Sequence, residues 1–366
     1  MAYEIIELIA GGKKYVGWTA CTVKASGTEV ARTARIIVTE LGDADWNFPP
    51  FTEVELLASG SQLLKGYVQD YQPSYSADQH EVALTLVSDS IDYADNSVKS
   101  ETGFFENKTV SEIAEELGKP FGLGIVVSPQ AVSAAGEVIE WFQLRLGAAT
   151  PWSEMMRLLP QRGLTMRGRA DGKAEITKEG DEMHAGGLIE GWNIIAATGL
   201  MTSRELFAET SAVGQGDETE DEDYEPEGVA FDERVTRERY KQVVVEEAAD
   251  QKLLQKRAEH EKARAAGFSA QATIVTPGFR DAGGTLWEPY RGIYVQSPKL
   301  KLWRNMIIQE VTFSQDPDGG TVSTLSLHAP GTGGGEASPE GEGDPFYFFR
   351  PGPGEKPAPR RNRGEE

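Results

Sequence analysis

Two distant stretches of this chain follow the same pattern. Residues 65–71 read KGYVQDY and residues 305–311 read NMIIQEV, so that Tyr67-Val68-Gln69-Asp70 lines up with Ile307-Ile308-Gln309-Glu310. Each is followed by a polar turn, Ser76-Ala77-Asp78-Gln79 in one and Asp316-Pro317-Asp318-Gly319-Gly320 in the other. Each then enters an alternating segment, EVALTLVS or TVSTLSLH. Alternation at period two puts one face of a strand in a core and the other in water. A repeated strand–turn–strand unit of this kind predicts two similar β domains.

The rest of 1–95 agrees with that reading. Strands are predicted over 3–9, 13–25, 29–39, 53–58, 63–71 and 80–88, with Gly11-Gly12 as a turn and Pro49-Pro50 interrupting the ladder. Short strands at regular spacing with polar turns suggest a barrel or sandwich. Residues 96–185 change character. Thr109-Val110-Ser111-Glu112 has the form of a capping box, and Val110, Ile113, Ala114 and Leu117 fall on one helical face. Thr150-Pro151 opens a second helix whose apolar stripe is Trp152, Met155, Met156 and Leu159, a core stripe rather than a cofactor box. Residues 164–169 and 174–178 flank Ala170-Asp171-Gly172-Lys173, which predicts a hairpin. Residues 186–330 return to strands at 188–196, 200–209, 270–275, 292–297, 305–314 and 320–328. They are interrupted by an acidic loop over 214–233 and a predicted helix over 234–266, which is rich in helix formers with a thin apolar face. Residues 331–366 are rich in Gly, Pro and Glu and are expected to be disordered.

The expected fold is therefore α+β and mainly β. Two similar β-barrel domains (1–95 and 186–330) flank a small α+β domain (96–185), and a tail follows over 331–366. In that tail Phe346-Tyr347-Phe348-Phe349 stands out. Four adjacent aromatics are costly to leave in water, so they are the candidate docking residues for a partner or for the protein's own surface.

Composition narrows the function. The formal net charge of the 366 residues is −22. Binding driven by phosphate contacts needs a basic face, so specific nucleic-acid binding is not expected, nor is docking on an anionic membrane. DNA passing through a lumen remains compatible with an acidic wall. A single cysteine, Cys21, excludes an internal disulfide and a thiolate metal cluster, and its alternating surroundings make it a small core residue. The N-terminal residues do not read as a signal peptide, and no run of apolar residues is long enough for a transmembrane helix.

No chemistry is legible. His80, His184, His260 and His328 lack partners at metal-ligand spacing and read as surface or strand residues. Phosphate-cradle, dinucleotide and nucleophile-elbow motifs are absent, and the acidic loop lacks the spacing of a calcium loop. A carboxylate pair such as Glu137 and Glu154 is the one glycosidase-like candidate, and pairs of that kind arise by chance in an acidic chain. The expectation is no catalytic residue, no metal and no cofactor.

Several strings resemble the baseplate hub proteins of Mu-like contractile phages. They are Tyr15-Val16-Gly17-Trp18 after a Gly-Lys turn, Gly66-Tyr67-Val68 paired with 82–88, TVSEIAEELGKPFGLG over 109–124, and the helix and Asp-Gly hairpin of 150–178. The resemblance covers about residues 1–330, and its motifs describe fold, not catalysis. It implies a structural homotrimer whose six similar domains match a hexameric tail tube, or its initiator, on one side and a trimeric central spike on the other. It further implies neighbouring baseplate proteins as partners, a place in the virion tail baseplate, and assembly in the host cytoplasm. The acidic insert and the tail depart from the family pattern. The alternatives are a tail-associated peptidoglycan hydrolase, or a hub or spike component of a contractile injection or secretion system.

Overall fold

The computed structural model describes residues 4–39, 48–76, 80–147, 149–180, 182–214, 227–245 and 251–331. The N-terminal part contributes β1 (Ile6–Ala10), β2 (Lys13–Tyr15), β3 (Ala20–Ser26), β4 (Thr33–Thr39), β5 (Glu53–Ala58), β6 (Ser61–Tyr75) and β7 (His80–Ser88). The middle part holds α1 (Asp92–Asp95), β8 (Phe104–Thr109), α2 (Val110–Gly118), β9 (Ile125–Val127), α3 (Val132–Ala135), β10 (Val138–Gln143), α4 (Pro151–Leu158), β11 (Thr165–Gly168) and β12 (Ala174–Thr177). The last part runs through β13 (Met183–Ile189), β14 (Ala196–Met201), β15 (Glu209–Gly214), β16 (Glu227–Phe231), β17 (Tyr240–Val245), α5 (Gln251–Phe268), β18 (Ala270–Pro277), β19 (Gly292–Ser297), β20 (Leu302–Asp316) and β21 (Gly320–His328). The fold is mainly β, as expected.

The repeat seen in the sequence is a repeat of topology. One set of strands is ordered β3-β4-β7-β6-β5-β1 and the other β14-β18-β21-β20-β19-β13. In both, the long fourth strand carries a register shift beside its glutamine: between Val68 and Asp70 against β7, and between Ile308 and Glu310 against β21. Gln69 and Gln309 are thus the extra residues of two equivalent bulges, which turn the second half of each long strand out of the plane of the first. The two sets differ at one edge, where β1 pairs antiparallel with β5 but β13 pairs parallel with β19.

Closed barrels were expected, and the pairings among the described residues do not close. They form one 13-stranded sheet, because the second half of β20 pairs with β3 from Glu310 opposite Ser26 to Gln315 opposite Cys21. A bulge frees half a strand to accept a new neighbour, and here the new neighbour comes from the other unit. One hydrophobic cluster therefore spans both, from Leu8, Ile36, Leu56 and Leu84 to Ile274, Val295, Ile308 and Leu325. Cys21 lies in this core, where burial pushes its thiol up to about 12.

The α+β unit has its own core, built on Val110, Ile113, Leu117, Phe142, Met155, Leu158 and Ile176. Thr109 caps α2 through the Glu112 amide at 3.2 Å, while the Glu112 carboxylate accepts the Thr109 amide at 2.8 Å. A Thr109→Ala chain is expected to lose about 1 kcal/mol of stability in urea unfolding, the usual worth of such a cap. Thr150 caps α4 in the same way with Ser153. The Asp-Gly hairpin forms as read, with Gly172 at φ +82 and β11 antiparallel to β12.

The predicted helix over 234–266 is corrected at its start. Residues 240–245 are strand β17, parallel to β15, and the helix is Gln251–Phe268. The β-branched run Val243-Val244-Val245 outweighs the helix formers around it, because branching at Cβ restricts χ1 in a helix and suits a pleated surface. α5 lies on the β15–β16–β17 sheet so closely that a Cβ at Gly228 would stand 2.2 Å from the Gln255 amide nitrogen. The strands expected at 188–196 and 200–209 are also relocated: β13 ends at Ile189, Gly191 turns the chain at φ +83, and β14 and β15 flank a loop. Among the described residues no helix is long and apolar enough to cross a membrane.

Candidate functional site

The connection between β18 and β19, residues 278–291, touches both β units and the α+β unit. Its turn is organised by Asp281, whose carboxylate accepts the amides of Gly283 and Thr285 at 2.9 Å each and that of Ala185 at 3.0 Å. A short acidic side chain that gathers nearby amides is what makes such a turn rigid. Asp281 also meets His184 Nδ1 at 2.9 Å, while His184 Nε2 accepts the Glu288 amide at 3.1 Å. The acceptor role of Nε2 places the proton on Nδ1. Burial lowers the His184 pKa, against the pull of Asp281, and the imidazole is neutral. Burial opposes ionisation of Asp281, yet the His184 hydrogen bond and the backbone amides hold its carboxyl below the ordinary range.

Arg280 reaches the first β unit. It donates to Glu4 at 2.7 Å, to Ser61 Oγ at 3.1 Å and to the Ala58 carbonyl at 2.8 Å. Glu288 meets Arg32 at 2.5 Å, and Arg32 in turn donates to the carbonyls of Gly168 at 3.1 Å and Leu63 at 3.3 Å. Arg32 is 2% exposed, so these acceptors stand in for the water its charge gives up. Burial would raise the Glu288 pKa, but Arg32 and Arg167 beside it hold the carboxyl below its usual range. Arg167 also donates to the Pro289 carbonyl and to Glu175 at 2.8 Å. Tyr290 sits at φ +64, a conformation unusual for a bulky residue. Its hydroxyl donates to the Gly27 carbonyl and accepts from Thr165 at 2.9 Å. The ring occupies the space a Cβ on Gly27 would need, 2.5 Å from Cζ. This loop is thus a clasp that fixes the two β units and the α+β unit to one another.

A His–Asp pair in a buried cleft resembles half of a catalytic triad. Here both ring nitrogens are engaged, one by a carboxylate and one by a backbone amide, so the pair holds structure. The carboxylates singled out above are not brought together for catalysis either. Glu154 is fully buried and is held by Arg145 at 3.0 Å and Arg157 at 2.7 Å, whereas Glu137 is exposed and 3.8 Å from Arg162. Among the described residues no three His, Cys, Asp or Glu side chains converge as a metal site. Of the histidines read as surface or strand residues, His184 and His328 lie on strands β13 and β21, whereas His260 lies on α5. His184 and His328 are both buried in pairs with acids, His328 with Glu179 at 2.8 Å. Phe346-Tyr347-Phe348-Phe349 lie outside the described residues. The clasp itself was missed. Its signal was there in Phe279-Arg280-Asp281 and Trp287-Glu288-Pro289-Tyr290-Arg291, a loop with too many aromatic and charged residues to be a mere connection.

A second feature is an open sheet edge. β14 ends the path of the large sheet, carries no charge, and is exposed along nearly all its length. Trp192 and Ile195 beside it are 72% and 58% exposed. Elsewhere in the sheet, the second half of β6, from Asp70 to Tyr75, pairs with β7 on one side only among the described residues.

Comparison with known proteins places this architecture. A model described as the gp44-like baseplate hub protein, second domain, matches residues 90–178, and one described as the Mu phage baseplate assembly protein GpP, fourth domain, matches 250–334. Both matched segments resemble domains of Mu-like baseplate proteins. The baseplate hub protein gp44 of Escherichia phage Mu is 25% identical over 342 residues, covering 88% of this chain and 87% of that one. A 43 kDa tail protein of prophage MuSo2 from Shewanella oneidensis aligns with a TM-score of 0.78 and 27% identity over 88% of this chain and 98% of its own. A tail protein from Neisseria meningitidis shares the fold, with a TM-score of 0.78 at 18% identity over 91% of this chain and 98% of its own. One of these relatives is named a baseplate hub protein and two are named tail proteins, and the resemblance read from the sequence is borne out.

Proposed function

We propose that this chain is the baseplate hub of a contractile phage tail, a homotrimer that adapts a sixfold tube to a threefold spike. The duplicated β unit carries this reading. A chain with two equivalent units needs only three copies to present six, and these stand for the two similar barrel-like domains of the sequence reading. The domain division at 95, 185 and 330 belongs to the same proposal. So do the tube, spike and baseplate partners, the tail location and assembly in the host cytoplasm.

The seam inside one chain supplies the interface between chains. The second half of β20 accepts β3, and by the repeat the second half of β6 accepts β14 from the next copy. Both strands are unpaired on that side among the described residues, and an uncharged exposed edge is a template for pairing. Such a contact is heterologous, and a rotation that closes it produces a ring. Carrying over the β20–β3 register through the two repeats sets Ser74 opposite Thr198.

Light scattering on the intact protein is expected to give three times the 39.9 kDa chain mass. A chain carrying Ser74→Cys and Thr198→Cys is expected to form covalent trimers on oxidation, since paired strands bring Cβ atoms within disulfide reach. A stable monomer in both experiments would overturn the reading. Trimers without cross-linking would keep the hub and reject this seam.

A further inference from the structure

A cleft of about 830 Å³ lies between α4 and α5. Its apolar wall includes Trp152, Met156 and Phe268, and Arg145, Arg157, Arg257 and Arg264 line it as well. These arginines share two carboxylates, Arg145 and Arg157 both meeting Glu154 and Arg257 and Arg264 both meeting Glu261, while Glu179 lies 2.8 Å from His328, so the cleft keeps more arginines than carboxylates. In a chain of net charge −22 this is an unusual concentration of arginine on an apolar cleft.

The cleft also holds unmet hydrogen-bonding groups. Both ring nitrogens of His260 and Oε1 of Gln161 are buried without a partner among the described residues. Unpaired buried polar atoms are rare in folded proteins, and a polar occupant would relieve them.

The described chain ends at the rim of this cleft. The Ala329 amide bonds to the carbonyls of Gly267 and Ala270, His328 lines the cleft, and Gly331 lies against Ala263 of α5, where a Cβ would stand 3.0 Å from its carbonyl oxygen. From Gly331 the sequence runs through a Gly-rich spacer with Glu336, Glu340, Glu342 and Asp344, and no lysine or arginine, to the four aromatics. Fifteen residues of Gly-rich sequence give a reach of about 20 Å. The order is therefore acidic spacer, then aromatic run, leaving from the edge of an arginine-lined apolar cleft.

We propose that Phe346-Tyr347-Phe348-Phe349 dock into the cleft of their own chain, with the preceding acids held by its arginines. The short tether gives the tail an effective concentration near the millimolar range, so modest contacts suffice. The inference does not depend on the hub reading: the cleft lies within one chain and its test reads contacts inside that chain.

The test uses the full chain with a photoreactive benzoyl group on Phe348. Light and heavy isotope-labelled chains are mixed so that links within and between chains are distinguished by mass. Links within the chain to Trp152, Met156 or Phe268 are expected. Replacing Glu336, Glu340, Glu342 and Asp344 by Gln or Asn is expected to lower their yield about ten-fold. Arg264→Glu, at a half-exposed position on the rim, is expected to lower it as well. Links that map elsewhere or run only between chains would overturn the proposal, as would no link or yields unmoved by both changes.

Discussion

An Arg32→Ala chain is expected to lose about 3–5 kcal/mol of unfolding free energy, the range for removing one partner of a buried ion pair. Arg32 is the innermost charge of the clasp, and its guanidinium serves Gly168, Leu63 and Glu288 at once. Its loss strands the Glu288 carboxylate and two buried carbonyls, and each stranded group keeps its full desolvation cost. In urea unfolding the midpoint should fall while the slope stays, since the surface exposed is nearly the same. A double variant, Arg32→Met with Glu288→Gln, should recover part of the loss because no buried charge remains unpaired. Acid supplies a second reading. The folded Glu288 carboxyl is held below its unfolded value, so its contribution is present above the ordinary carboxylate range and is lost as pH falls through the folded value. The gap between native and Arg32→Ala chains should therefore be widest at neutral pH and shrink on acidification. A gap that does not change with pH would show that the carboxylate is not what the arginine protects.

The clasp stands beside the seam. The Gly27 amide bonds to the Gln309 carbonyl at 2.7 Å, at the β20 bulge, and the Tyr290 hydroxyl bonds to the Gly27 carbonyl. The residues that lock the α+β unit in place thus also fix where β3 meets β20. If the same contact recurs between copies as β14 on β6, stiffness at the clasp sets the angle between successive units, and that angle decides whether a ring closes.

Much of this was legible because it is local. The capping residues Thr109 and Thr150, the Asp171-Gly172 turn and the alternation of β7 and β21 are set by neighbours in sequence. Even the paired bulges showed themselves, as the aligned Gln69 and Gln309. What was hidden is the long-range part. Nothing local tells that half of β20 takes β3 as its neighbour and so joins two expected barrels in one sheet. The burial of His184 and His328 depends on Asp281 and Glu179, far away in sequence. β17 was misread because the charges around Val243-Val244-Val245 favour a helix until β15 offers a ladder. Of the acidic loop expected over 214–233, residues 227–231 are instead strand β16, paired with β15, and residues 215–226, like the aromatic run, lie outside the described residues.

Gly168→Ala is expected to cost at least about 3 kcal/mol, the upper end for overpacking, although it adds a single methyl group. A Cβ there would stand 2.0 Å from the Val30 carbonyl oxygen and 2.9 Å from its carbon. Both are backbone atoms, so no side chain can swing aside, and β11 or the β3–β4 connection must move. The Gly168 carbonyl is also an acceptor for Arg32, so the shift breaks the Arg32 hydrogen bond as well. Two residues acting on one contact should not be additive: Arg32→Ala with Gly168→Ala should cost clearly less than the two separate losses together. Hydrogen exchange locates the damage. The Arg32 amide donates to Ser88 Oγ at 2.8 Å and should lose protection, while amides within β20 and β21 should keep theirs. An unchanged midpoint would mean that the α+β unit slides on the sheet without cost, and the clasp could not then set the angle that a closed ring requires.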